Sequence, residues 1–145
     1  MAKLSTIEGI GASLATKFKK AGVGSVEALL KKGSTAKGRK ELEAATGIDG
    51  KRVLRFVNHA DLMRVKGVGG EYSELLEAAG VDTGVELSKR NAPNLHAKMK
   101  EVNAKKKLVR QLPSQSQVEG WVSQDKKLGR MVSHCRVVLV QMNNS

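Results

Sequence analysis

Aromatic side chains are scarce in this sequence: Phe18, Phe56, Tyr72 and Trp121 are 3% of its 145 residues. A core with so few rings must be filled by Leu, Val, Ile and Ala, a supply that suits short packed helices better than a β-sandwich. Cysteine is nearly absent. The one thiol, Cys135, excludes an internal disulfide and a zinc centre built from cysteines. Apolar runs are short, none approaching the roughly 18 residues that a bilayer crossing requires. The first 20 residues carry Lys3, Glu8, Lys17, Lys19 and Lys20 in place of an apolar signal centre. A cytoplasmic setting without membrane association is therefore expected. Acidic side chains are also in deficit, 14 against 26 Lys and Arg, leaving a formal net charge of +12. Such an excess attracts polyanions.

What the sequence does contain is an internal repeat. A shift of 58 residues brings Leu4 onto Leu62, Ile7 onto Val65, Gly9 onto Gly67, Ile10 onto Val68, Gly11 onto Gly69 and Phe18 onto Leu76. It also brings Ala21-Gly22-Val23 onto Ala79-Gly80-Val81. Further along, a shift of 65 pairs Asp49 with Ser114, Val53 with Val118, Phe56 with Trp121 and Val57 with Val122. The seven extra residues imply an insertion in the second copy, within residues 103–111, where Lys105, Lys106 and Lys107 precede Pro113. Two units follow, 1–59 and 60–132, with a tail at 133–145 that has no counterpart.

Inside each unit the local signals are helical and short. In residues 12–20 a stripe of Leu14, Ala15 and Phe18 ends at Gly22, a residue suited to closing a helix. Ser25, Ser34 and Asp49 are candidate N-caps in the first unit, and Thr83, Asn91 and Ser114 in the second, with Pro93 tolerated in a first turn. The matching Phe56 and Trp121 read as core anchors. Only residues 137–140 have a strand-like pattern, so the expected class is all-α, each unit a hairpin plus about three short helices.

The most specific feature is the turn Ile7-Glu8-Gly9-Ile10-Gly11 leading into a helix, with its copy Val65-Lys66-Gly67-Val68-Gly69. Glycines on both sides of a buried apolar residue permit a hairpin that a Cβ at either position would obstruct. A helix starting there leaves backbone N–H groups pointing outward at the positive end of its dipole, a site for one phosphate group. At these residues the sequence resembles the helix-hairpin-helix family, whose hairpins grip DNA phosphates without reading bases. Over residues 1–132, including the stretch Gln111-Leu112-Pro113-Ser114-Gln115-Ser116-Gln117-Val118-Glu119-Gly120-Trp121-Val122, it resembles an uncharacterised bacterial family of tandem helix-hairpin-helix proteins. That second resemblance implies a fold and no settled activity. The first also allows a monovalent cation on the hairpin carbonyls.

The two hairpins differ in charge. Lys17, Lys19 and Lys20 follow the first, whereas Glu71, Glu74 and Glu77 follow the second and oppose an anion there. Residues 1–60 carry net +7, residues 61–88 net −4 and residues 89–145 net +9. An acidic segment between two basic ones suits a polyanion on one face and a protein partner at Glu71, Glu74 and Glu77 on another.

Other chemistry finds little support. Gly33-Ser34-Thr35-Ala36-Lys37-Gly38-Arg39-Lys40 imitates a nucleotide phosphate loop, but Arg39 and Lys40 stand where Lys and then Ser or Thr are needed. His59, His96 and His134 are far apart, and no nucleophile-base grouping or carboxylate pair marks an active site. No metal, cofactor or catalysis is expected. The function read from the sequence is backbone binding to DNA or structured RNA. Gly9, Ile10 and Gly11 shape the first site, the N–H groups of Gly11, Ala12 and Ser13 bind there, and Lys17, Lys19 and Lys20 add attraction. Lys66, Gly67, Val68 and Gly69 form a weaker second site.

Overall fold

The computed structural model describes residues 3–129 and 131–132. Within them the chain is entirely helical, as its composition predicts. A 3-10 turn at Leu4–Thr6 leads to α1 (Ala12–Lys20), α2 (Val26–Gly33), α3 (Ala36–Thr46) and α4 (Gly50–Leu62). Then follow α5 (Gly70–Ala78), α6 (Gly84–Ser88), α7 (Ala92–Lys106) and α8 (Gln115–Leu128). The strand-like pattern at 137–140, with His134 and Cys135, lies outside the described residues.

Most of the helix starts are fixed by the side chains that the sequence offers. Ser25 accepts from Ala28 N–H, Thr83 from Glu86 N–H, and Asn91 from Asn94 N–H. Ser114 and Gln117 form a reciprocal capping box. Two expected caps are corrected. Ser34 does not cap α3: its hydroxyl donates to Lys31 O at 3.0 Å, finishing α2, and Thr35 accepts from Gly38 N–H instead. Asp49 occupies the N-cap position of α4, but its side chain makes no capping bond.

The apolar side chains gather in two clusters. One joins Leu4, Ile7, Ile10, Phe18, Leu29, Leu42, Val53 and Phe56, the other Leu62, Val65, Val68, Leu76, Leu95, Met99, Val118 and Trp121. Phe56 and Trp121 are 1% and 4% exposed, so both rings are core anchors. The chain does not divide cleanly, however, because Val132 returns to the first cluster and Leu62, the last residue of α4, belongs to the second. The glycines of the phosphate-loop look-alike serve packing. A Cβ on Gly33 would stand 2.3 Å from Val57, and one on Gly38 would stand 1.8 Å from the Lys32 carbonyl oxygen.

Candidate nucleic-acid interface

The first hairpin is a chain of tight backbone turns: Ile7 N–H donates to Leu4 O at 3.0 Å and Ile10 N–H to Ile7 O at 3.1 Å. The second repeats it, with Val65 N–H on Leu62 O and Val68 N–H on Val65 O, both at 3.1 Å. Between the two bonds the chain reverses at Gly9, with φ of +96°, and at Gly67, with φ of +98°. L side chains avoid that conformation. Each of these glycines sits on an aromatic anchor. A Cβ on Gly9 would meet Phe56 at 3.2 Å, and one on Gly67 would meet Trp121 Nε1 at 3.1 Å.

Only the first glycine of each pair is demanded by the turn, which corrects the sequence reading. Gly11 and Gly69 are extended N-caps, with φ of −92° and −100°, and a Cβ on either meets nothing within 4 Å. Their contribution is an uncapped helix start. Among the described residues no side chain caps the N-terminus of α1, its first turn holds no acidic residue, and Gly11, Ala12 and Ser13 are exposed. The first N–H groups of a helix have no partner within it, so these amides face outward at the positive end of α1.

The second hairpin differs in three ways. Gly70, the first residue of α5, packs so closely on the first hairpin that a Cβ there would stand 1.8 Å from Thr6 O. Lys66 N–H already donates to Gln124 Oε1 at 2.7 Å. Glu71 lies in the first turn of α5. The first turn of α1 is open and holds no acidic residue, with Glu8 in the turn before it, whereas the start of α5 is covered by Thr6 and carries Glu71.

The lysines after the first hairpin occupy the last turn of α1, away from its amides. Lys17 and Lys20 share a face with Ser13 at i+4 and i+7, spaced about 5 to 6 Å per step. Lys19 instead faces a hollow shared with Lys3, Ser5 and Ala15. Nearer the turn are two cations that the sequence reading missed, Arg52 and Arg55 of α4. The Arg52 guanidinium lies 5.6 Å from the Phe56 ring centroid, and Arg55 Nη1 is 3.8 Å from where a Cβ on Gly9 would stand. Their signal was present, since Phe56 anchors the hairpin and residues four and one before it flank that anchor on a helix. At the corresponding positions beside Trp121 the chain has Gln117 and Gly120. Further positive charge lines a cleft of about 650 Å³ at the far end of α1, where Lys31, Lys32 and Lys37 gather and Lys32 pairs with Glu41.

The acidic helix is not a uniform solvated face. Glu77 receives Arg55 Nε at 3.0 and 3.2 Å on its two oxygens and contacts His59 Nε2 at 3.0 Å. His59 is fully buried, and burial lowers its pKa, with Glu77 partly opposing the shift. Glu77 is thus committed within the fold, while Glu71 is exposed and Glu74 half-buried. Among the described residues no three His, Cys, Asp or Glu side chains gather into a metal site, and no helix is long and apolar enough to cross a membrane.

Residues 8–128 match the family described as Domain of unknown function (DUF4332). The chain belongs to that family. The match begins within the first hairpin and takes in the second and all eight helices of the described residues, but the family's description carries no activity to transfer. No curated protein and no solved structure gave a match.

Proposed function

We propose that this protein binds nucleic acid without catalysis, holding the phosphate backbone of DNA with little regard to base sequence. In this reading the two halves, 1–59 and 60–132, are tandem helix-hairpin-helix units of a cytoplasmic protein, and the first hairpin is the principal contact. The observation that carries it is the open first turn of α1, which holds no acidic residue, beside a hairpin flanked by two guanidinium groups. Backbone N–H groups of Gly11, Ala12 and Ser13 take one phosphate oxygen set, Arg52 and Arg55 add charge at the turn, and Lys17 and Lys20 extend the basic face along α1. Hairpin 2, with Lys66, Gly67, Val68 and Gly69, adds little because Gly70 is packed against Thr6 and Glu71 repels anions. Structured RNA offers the same phosphates, and the test below separates it from DNA.

A second reading is a protein-binding module that uses Glu71 and Glu74, supported by the net −4 of residues 61–88. Binding titrations with duplex DNA, single strands and duplex RNA at several salt concentrations decide between them. Backbone binding gives a log-log slope of about −0.9 per neutralised phosphate and little variation among duplex sequences. No binding to any nucleic acid at low salt overturns the proposal and leaves the protein-binding module.

A further inference from the structure

Where α4, α6 and the end of α8 meet, two carboxylates converge on Gly84. Asp61 and Asp125 are each 3% exposed. Asp61 Oδ2 accepts from Gly84 N–H at 2.8 Å, and both oxygens of Asp125 lie 2.7 Å from where a Cβ on Gly84 would stand, so a side chain at Gly84 would displace the Asp125 carboxylate. Asp125 Oδ2 is buried without a hydrogen-bond partner. Among the described residues, the cation bonded at this junction is Arg64. Its Nη1 donates to Asp61 Oδ1 and to Gly129 O, both at 3.1 Å, and its Nη2 donates to Leu128 O at 3.1 Å. Of the other charged groups on these elements, His59 of α4 is buried against Glu77 and Arg55 is half-buried on the same carboxylate, whereas Lys51, Arg52, Glu86, Glu119, Lys126 and Lys127, with Lys98, Lys100 and Glu101 of α7, are exposed.

We propose that the Asp61–Asp125 pair is a proton-operated latch, closed while it holds one proton and loosened when that proton leaves. With the proton on Asp125 the junction carries one carboxylate and one guanidinium, a balanced pair. Deprotonation puts a second negative charge on a buried oxygen that has no donor. Arg64 is then drawn between two carboxylates and away from the Leu128 and Gly129 carbonyls that it holds at the end of α8. Beyond that end lies Val132, buried in the first cluster, so the contact released is the one that seats Val132 against the first half. The carboxyl of Asp125 is indeed pushed up to about 6, by burial first and by Asp61 second, with Arg64 opposing.

The test uses the intact protein. Carbon-detected NMR follows the Asp125 carboxyl between pH 4 and 8, and hydrogen exchange, corrected for intrinsic rates, follows the Gly84, Gly129 and Val132 amides. Asp125 titrating near 6, with protection of those amides falling by roughly 10- to 100-fold over the same range, supports the latch. The upper bound is set by how far the carboxyl is displaced. Asp125→Asn removes the pH dependence. Asp125→Ala does the same should the Asn variant not fold, since Ala60 stands at the corresponding place in the first repeat. An Asp125 that titrates near 4, protection unchanged across the range, or a folded variant that keeps the parent's pH dependence overturns it.

Discussion

At Gly9 and Gly11, two glycines one residue apart have unequal structural reasons to exist. Gly9 takes a left-handed φ against the Phe56 ring, while Gly11 is extended with open space around it. Gly9→Ala is therefore expected to destabilise the fold by about 1 to 3 kcal/mol, and Gly11→Ala by under about 1 kcal/mol, measured by urea denaturation. Equal losses would mean that the turn strain is misplaced. Two buried titrating groups give opposite pH dependences. Because the folded pKa of Asp125 is raised from 3.8 to about 6, the native state binds that proton more tightly, and stability falls as pH rises from about 4 to 6. The loss is bounded at about 3 kcal/mol. His59 has a lowered folded pKa, so its contribution is complete above 6.5 and is lost as pH falls below that value. Denaturation midpoints from pH 4 to 8 should show Asp125→Asn removing the first trend and His59→Gln removing the second. A parent-like profile in either variant contradicts the assignment.

On the scale of elements, the start of α1 and the near turns of α4 act together, because Phe56 brings one against the other. Position at the Gly9–Phe56 contact then ranks the cations, with Arg52 and Arg55 ahead of Lys19, whose hollow is lined by neither Gly9 nor Phe56. Under the proposed function, Arg52→Gln should lower duplex DNA affinity by roughly 3- to 10-fold and flatten the salt slope by up to about one phosphate equivalent. Lys19→Gln should change both less. Fluorescence anisotropy at three salt concentrations reads the difference, and a larger effect from Lys19 would move the contact to the far end of α1. Arg52 is the cleaner probe. Arg55 also holds Glu77, so its removal disturbs the environment of His59.

For the whole molecule, the aromatic anchors test whether the two clusters fail together. Truncating Phe56 or Trp121 to Ala removes a buried ring from under a hairpin and should cost about 3 to 5 kcal/mol each in chemical denaturation. Val132, the packing of Gly70 on Thr6, and the bonds of Glu77 to Arg55 and His59 link the halves, so a single cooperative transition is expected for both variants. Two separated transitions would show the halves to be independent.

The sequence by itself determined the helical class, most of the helix caps, the paired hairpins and the two buried rings. Each of these depends on local spacing or on a residue's own conformational preference, and the repeat states them twice. It could not settle which glycine of a pair bends the chain, since Gly9 and Gly11 look alike until Phe56 is seen beneath the first. Nor could it distinguish Ser34 from Thr35 as the cap of α3, because both hydroxyls are placed to bond and the close crossing of α2 and α3 selects one. Tertiary structure alone decided the rest. Packing α4 against α1 and α5 set Arg52 and Arg55 beside the hairpin and withdrew Glu77 from the acidic face, and packing α8 against α4 and α6 buried Asp125 beside Asp61. These are contacts between residues distant in the chain, and their charges acquire meaning only when burial removes the water that would otherwise screen them.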